Sequence, residues 1–332
     1  MGFLWSQLFV KPEYPTTSFA GKTVIVTGSN VGLGKEAARH FVRLGASLVV
    51  LAVRNLESGA LAREDILKSN PHRDSSCVEV WRLDLSDFSS VVQFADRARA
   101  LPRLDVVIEN AAVAFFRSSV EIVESVGHER TIVVNVLGTY LLALLLLPKL
   151  KTDAKKLGTH VTLSVVTSEL HAWPRFPEKK AVTNAKDGKE GGVFAMLSDP
   201  QSKTMRERYA TSKLLEVLVN REMAPRLKDS GVVLNMLNPG LCHSELTRDV
   251  GWIMNVYKFF LARTTEVGAR TLVAAATVGP ESHGKYMHDA KVADEELSEF
   301  VKSEEGMKIG KQVYEELLEI LERVQPGISA NV

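Results

Sequence analysis

The feature that most limits how this chain can fold lies near its start. The apolar run Lys22-Thr23-Val24-Ile25-Val26-Thr27 leads directly into Gly28-Ser29-Asn30-Val31-Gly32-Leu33-Gly34, and a helix-patterned stretch follows over residues 35–44. A short buried strand that turns through three glycines into a helix suits a place where backbone bends sharply and comes close to a ligand. The N-terminus of the following helix presents free N–H groups and the positive end of its dipole, which together hold a pyrophosphate. The spacing Gly-x-x-x-Gly-x-Gly departs from the Gly-x-Gly-x-x-Gly form. An ordinary strand-to-helix turn is the competing reading, and the flanking pattern favours the nucleotide site.

The alternation continues along the chain. Strands are expected over residues 47–53, 77–83, 104–109, 160–167, 232–237 and 284–287. Helices are expected over 57–69 and 88–100, within 121–150, in the stretch after 206 that carries Tyr209, over 264–277, and in the charged end 294–323. Short apolar runs alternating with amphipathic helices predict an α/β fold, a Rossmann-type doubly wound parallel sheet with helices on both faces. Two stretches interrupt the pattern: a polar one over 175–203, read as a lid or surface loop, and an apolar helical flap over 244–262. The chain has 332 residues, 45% of them apolar, and shows no repeat or linker. One Rossmann-type domain over 21–290 is expected, preceded by an apolar extension over 1–20 and followed by a helical extension over 291–332.

Composition excludes several functions. A formal net charge of +1 offers no electrostatic footprint for nucleic acid. The two cysteines, Cys77 and Cys242, lie far apart and outside any metal-ligand spacing, so buried thiols in a reducing, cytoplasmic setting and no metal site are expected. The apolar residues Phe3, Leu4, Trp5, Leu8 and Phe9 lack a basic flank or cleavage pattern and are too few to span a bilayer. Packing on the chain itself or on a partner is the favoured reading, with peripheral contact at a membrane surface as the alternative. The run over 132–147 is also too short to span, carries Asn135, and reads as a buried helix.

Two further patterns bear on chemistry. The end of the second strand carries Val53-Arg54-Asn55, with no carboxylate to bond a ribose 2′-hydroxyl. The Arg54 guanidinium suits a 2′-phosphate instead, which points to NADP(H). Tyr209 and Lys213 stand four residues apart on one helix face, where an ammonium favours the phenolate and makes an acid–base unit. Such a pair also arises by chance, as a packed tyrosine beside a solvated lysine.

Taken in order, Thr27-Gly28-x-x-x-Gly32-x-Gly34, Asp84-Leu85, Asn110-Ala111-Ala112, Asn135, Ser168, Tyr209-x-x-x-Lys213 and Asn238-Pro239-Gly240 resemble the motifs of the short-chain dehydrogenase/reductase family. Leu51-Ala52-Val53-Arg54-Asn55 and Val134-Asn135-Val136-Leu137-Gly138 are most similar to its retinol-dehydrogenase-like branch. The wording around Ser168 and after Pro239 is similar to that of fungal members, which implies secondary metabolism. The resemblance implies catalytic roles for Asn135, Ser168, Tyr209 and Lys213: Ser168 orients the substrate oxygen, Tyr209 is acid and base, Lys213 holds the nicotinamide ribose, and Asn135 anchors a water on the proton path. It implies cofactor contacts at Gly28, Asn30, Gly32, Leu33, Gly34, Arg54, Asp84 (adenine), Leu85, Asn110 (adenine ribose), Pro239, Leu241 and Ser244 (carboxamide).

Several points stay open on sequence alone. Ser164 or Thr167 can replace Ser168 as the functional hydroxyl, Asn135 can simply satisfy a carbonyl, and a lone His171 is more often structural than a substrate polariser. Ala112 stands where the family has glycine, tolerable if its φ is negative. The helix over 134–147 and that of Tyr209 form a dimer interface in many family members, and here they fit a homodimer or a monomer core equally. The expected function is NADP(H)-dependent carbonyl–alcohol interconversion on a hydrophobic small molecule. A non-catalytic dinucleotide sensor on the same fold is the alternative, and so is an epimerase or dehydratase, which the glycine spacing disfavours.

Overall fold

The computed structural model describes residues 3–115, 119–181, 192–243 and 261–332. Its strands are β1 (Thr23–Thr27), β2 (Leu48–Val53), β3 (Val78–Arg82), β4 (Val106–Glu109), β5 (Val161–Val166), β6 (Val232–Asn238), β7 (Tyr286–His288) and β8 (Lys291–Val292). They form one sheet in the order β8-β7-β6-β5-β4-β1-β2-β3. All neighbours run parallel except β7 and β8, a pair absent from the sequence expectation, which ended the sheet at β7. Strand order reverses between β1 and β4, so the crevice beyond their C-terminal ends is the switch point where such sheets bind ligands. The glycine turn leaves β1 at that crevice.

The helices are α1 (Phe3–Phe9), α2 (Gly32–Arg43), α3 (Leu56–Lys68), α4 (Phe88–Arg99), α5 (Arg130–Leu157), α6 (Arg208–Met223), α7 (Thr265–Ala275) and α8 (Glu304–Val324). Strand residues alternate between two cores. Val24, Val26, Leu51 and Ile108 face α2, α3 and α7, while Ile25, Ala52, Val107 and Leu163 face α4, α5, α6 and α8. Asn55, Asp87, Thr264 and Ser303 cap α3, α4, α7 and α8 by accepting from backbone N–H groups of the first turn. Both cysteines are buried and unpaired with each other.

Helix α5 differs from expectation at its start. Residues 122–129 form a small antiparallel ribbon, and the helix runs on to Leu157. Its segment Val133–Gly138 is π-helical, a widening that recurs at functional sites. Gly138 lies so close to the loop after β3 that an added Cβ would sit 2.2 Å from the Leu85 carbonyl oxygen. Of the most apolar 18-residue window of α5, 94% is buried inside the fold, which makes it a core helix. Leu141 through Leu147 are each at most 3% exposed.

The C-terminal helix α8 is amphipathic, and Ile309, Val313, Leu317 and Leu321, four residues apart, bury against α6. The turn Ile328–Asn331 then packs on α5, where Asn331 Nδ2 donates to Leu144 O at 3.1 Å and Lys151 Nζ donates to Asn331 O at 2.7 Å. The stretch read as a lid is anchored at both described ends. Phe176 buries on one side and Val193, Phe194 and Leu197 on the other, and the Glu316 carboxylate on α8 accepts from Val193 N (2.8 Å) and Phe194 N (2.9 Å). Its middle, 182–191, lies outside the described residues, as do 244–260 of the expected flap.

Candidate active site

The glycine turn is built for close approach. Gly28 has φ +64°, and an added Cβ would meet the Ala111 Cα at 2.8 Å. A Cβ on Gly34 would lie 2.6 Å from both Gly28 O and Asn110 Nδ2. Asn110 clamps the turn, donating from Nδ2 to Thr27 O (2.8 Å) and Gly28 O (3.3 Å), while its backbone N–H and that of Ala111 donate to Thr27 Oγ1, each at 2.9 Å. Its side chain is thereby committed to the backbone of the turn. Ala112 lies outside the positive-φ region, so the missing glycine costs nothing there. Helix α2, with Val31 at its N-cap, has no side-chain cap, unlike α3 and α4, which leaves the N–H groups of its first turn without a side-chain acceptor. That uncapped helix end behind glycines that tolerate no Cβ fits a dinucleotide pyrophosphate.

Around the turn, Asn30 Nδ2 reaches Ser58 Oγ at 3.3 Å, and Leu33 packs beside Gly268 of α7. Arg54 is exposed at the end of β2. Asp84 Oδ1 accepts from Ser86 N (3.0 Å) and Ser86 Oγ (2.6 Å), and Leu85 is buried. The turn after β6 places Gly240 at φ +75°, its N–H donating to Asn238 Oδ1 at 3.1 Å. Pro239 O faces the Cys242 thiol, and Leu241 O accepts from Arg263 N at 2.9 Å. With its amide oriented donor to acceptor, Gln7 of α1 bonds both Leu241 O (3.1 Å) and Leu241 N (3.2 Å). Ser244 lies outside the described residues.

The hydroxyls after β5 sort themselves by burial. Ser164 is fully buried and donates to Asn235 Oδ1 at 2.6 Å, and Thr167, 2% exposed, donates to Lys213 O at 3.2 Å. Ser168 is half-buried at the sheet edge, where it caps the 3-10 turn Glu169–Ala172 that packs on α6. His171 has both ring nitrogens engaged, Nδ1 with Ser168 O (2.8 Å) and Nε2 with Ser298 N (3.2 Å), and burial lowers its pKa. Its role is structural. Tyr209, half-buried at the start of α6, has the Lys213 ammonium 5.6 Å from its ring centre. Asn135 donates from Nδ2 to Val113 O and to Ser212 Oγ, each at 2.9 Å, and accepts from Val113 N at 2.8 Å. Its side chain therefore ties the loop after β4 to the helix of Tyr209.

The region matching the short chain dehydrogenase family model spans residues 22–177, from β1 to the start of the lid. A short chain dehydrogenase/reductase, dmxR8, from Cryptosporiopsis sp. is 44% identical over 342 aligned residues that cover all of both chains. This chain is a short-chain dehydrogenase. Similar too are the short-chain dehydrogenase anuD of Penicillium roqueforti, 41% identical over 99% of this chain and 84% of its own, and atnD of Emericella nidulans, 42% identical over 86% and 89%. All three are fungal. Among solved structures, the Pseudomonas aeruginosa RhlG/NADP active-site complex aligns with a TM-score of 0.61 at 20% identity, over 83% of this chain and 97% of that one. A Brucella melitensis 3-ketoacyl-(acyl-carrier-protein) reductase complexed with NADH aligns with a TM-score of 0.59 at 20% identity, over 82% and 97%. Both share the fold, and the fold accommodates either dinucleotide.

Three buried charges of this short-chain dehydrogenase escaped the sequence reading. Arg208, fully buried at the start of α6, lies 3.7 Å from carboxylate oxygens of both Glu129 and Glu178 and donates to Ser202 Oγ at 3.0 Å. It fixes the helix end beside Tyr209 to the ribbon and the lid. Glu109 ends β4 with neither carboxylate oxygen hydrogen-bonded among the described residues. Burial pushes it up to about 8. Glu216, 2% exposed, takes the Lys213 ammonium on both oxygens, at 2.8 and 3.1 Å. Glu109 and Glu216 stand inside apolar runs, which is a weak signal of burial; Arg208, among Arg206, Glu207, Thr211 and Ser212, carries none. A cavity of ≈ 180 Å³ lined by Phe115, Val120, Glu121, Glu129 and Met205 lies next to this helix end.

Proposed function

We propose that this oxidoreductase interconverts a carbonyl and an alcohol on a hydrophobic small molecule with NADP(H), with Tyr209 as acid and base. The observation that carries the reading is that the Lys213 ammonium lies 5.6 Å from the Tyr209 ring centre on a helix against which the turn capped by Ser168 packs, on a fold with an uncapped α2 and a glycine turn too tight for a Cβ at Gly28 or Gly34. When bound, the nicotinamide supplies or accepts the hydride. The chain's own residues handle the oxygen and the proton. Ser168 offers a hydroxyl to the carbonyl oxygen and Tyr209 gives its proton as charge builds there, while the Lys213 ammonium behind the tyrosine ring is taken up by Glu216 and Val166 O rather than left free for a ribose. Asn135 sets the helix of Tyr209 against the loop after β4.

Arg54 supports NADP(H), because it stands exposed at the end of β2 with no carboxylate in Val53-Arg54-Asn55. Arg54→Asp should shift the ratio of kcat/KM for NADPH over NADH by about tenfold or more toward NADH, the scale of one charge-assisted bond lost plus a repulsion gained. An unchanged ratio would show that selection lies elsewhere. The reaction itself is tested by NADPH oxidation over a panel of hydrophobic ketones and aldehydes.

The apolar sequence around Trp252, Ile253, Met254, Tyr257, Phe259 and Phe260 supports a hydrophobic substrate, and the fungal relatives support a place in secondary metabolism. A cytoplasmic location is part of the same proposal. Helix α1 turns Ser6 and Gln7 inward, where Ser6 Oγ donates to Asp289 at 2.7 Å, and leaves Leu4, Trp5, Leu8 and Phe9 more than half exposed. That outer face is the one available for peripheral membrane contact. For association we favour a monomer over a homodimer through α5 and α6, since α8 and the Ile328–Asn331 turn already cover those helices.

A further inference from the structure

We propose that Glu216 is a positioning residue that neutralises the Lys213 ammonium and so keeps Tyr209 protonated, setting the site to give a proton to a carbonyl. The proposal rests on the reading of Tyr209 as acid and base. Three residues separate Lys213 from Glu216 on α6, so both side chains share a face. Each is 2% exposed. The carboxylate holds the ammonium at 2.8 and 3.1 Å, and Val166 O accepts from the same nitrogen at 2.9 Å. A lysine free of such a partner would stabilise a phenolate one turn away. Here its charge is already matched in a place that water does not screen.

A second buried cation on α6, Arg208 next to Tyr209, faces the carboxylates of Glu129 and Glu178, each at 3.7 Å, so its charge is matched as well. From α5, the Tyr140 phenol donates to Glu216 O at 2.8 Å and accepts from Asn220 Nδ2 at 2.9 Å. Glu109 from β4 is neutral below about pH 8, and His171 beside Ser168 is held neutral by burial. Thr167 closes the end of β5, and β6 presents Leu234 and Met236. Helix α8 brings Ile309, Val313 and Leu317 to α6, while its Tyr314 ring stacks under Arg226, farther along. Burial pushes Glu216 up to about 7 although Lys213 pulls it down. Above that pH the carboxylate is charged, which is the range where a tyrosine beside a bare lysine would begin to ionise. Burial, with the Glu216 charge adding to it, raises the Tyr209 pKa.

The experiment compares the full chain with Glu216→Gln, Glu216→Asp and Tyr209→Phe, and with the Tyr209→Phe/Glu216→Gln double variant. Ultraviolet difference titration reads tyrosinate without needing turnover. Glu216→Gln should develop one tyrosinate more, at or below about pH 10, the ordinary tyrosine value, than the double variant, the wild type or Glu216→Asp, whose exposed Tyr14 supplies a background common to all. Titration of Glu216→Gln indistinguishable from wild type overturns the proposal. In kinetics, the alkaline limb of ketone reduction should move down by about one pH unit or more in Glu216→Gln, with NADPH binding by fluorescence unchanged. A lost rate with an unmoved limb would mark Glu216 as structural only. Turnover retained by Tyr209→Phe would sink the acid–base reading, and the spectral comparison would still decide the Glu216 proposal. Should Glu216→Gln not melt cooperatively, Glu216→Asn, neutral and shorter, carries the same expectations.

Discussion

Tyr209→Phe is expected to lower kcat/KM for ketone reduction by on the order of 10³-fold, within the range that loss of a positioned general acid costs. NADPH binding should stay within about twofold, because the ring keeps its packing under Lys213 and only the hydroxyl is removed. Stopped-flow turnover and fluorescence titration of NADPH separate the two. Ser168 remains to bond the carbonyl oxygen, so residual activity above background is expected, and a rate close to wild type would remove Tyr209 from the chemistry.

The second large effect concerns stability. The Glu109 carboxyl is held neutral in the folded protein, at about 8 against an ordinary 4.5, because burial disfavours its charge. A carboxyl raised in this way contributes stability that is fully present below pH 4.5 and is lost as pH rises through 8, since the folded state holds the proton longer than the unfolded chain. The loss across that window is on the order of 4 kcal/mol for this one group. Glu109→Gln cannot ionise. Its melting temperature relative to wild type should therefore rise by several degrees between pH 5 and pH 9, whatever constant cost the buried amide brings. A difference that does not change with pH would mean that Glu109 has a partner for its charge.

The Glu109 case also shows where sequence reasoning reached and where it stopped. The alternation of elements was legible because parallel strands covered on both faces are nearly continuously apolar, as Leu48–Val53 is throughout and Val161–Val166 is apart from Thr162 and Ser164. The glycine turn was legible because positive φ at Gly28 and the close approach at Gly34 demand that residue type. Ser168 was singled out from a Ser-Val-Val-Thr-Ser run that offered three hydroxyls, and only burial eliminates Ser164 and Thr167. Glu109, Arg208 and Glu216 went unread for the converse reason. A charge in a sequence looks solvated until tertiary packing closes over it, and the partners of Arg208 come from residues 79 and 30 positions earlier. The ribbon at 122–129 was folded into a helix because two-residue strands carry too little period to detect.

The position of Glu316 has one more consequence, for motion. Helix α8 lies along α6, and the same helix holds the first turn of Val193–Leu197 through the Glu316 carboxylate. An added Cβ on Gly192 would collide with that carboxylate at 2.2 Å, so the join is tight. The returning edge of the 175–203 excursion and the helix that carries Tyr209 and Lys213 are thus mounted on one support. Swinging that edge outward to admit a bulky substrate would drag on α8 and hence on α6. The Phe176 side is tied to the same two helices, through Glu178 to Arg208 of α6 and through Lys179 to Glu305 of α8, so neither edge of the excursion moves independently of the helix that carries Tyr209.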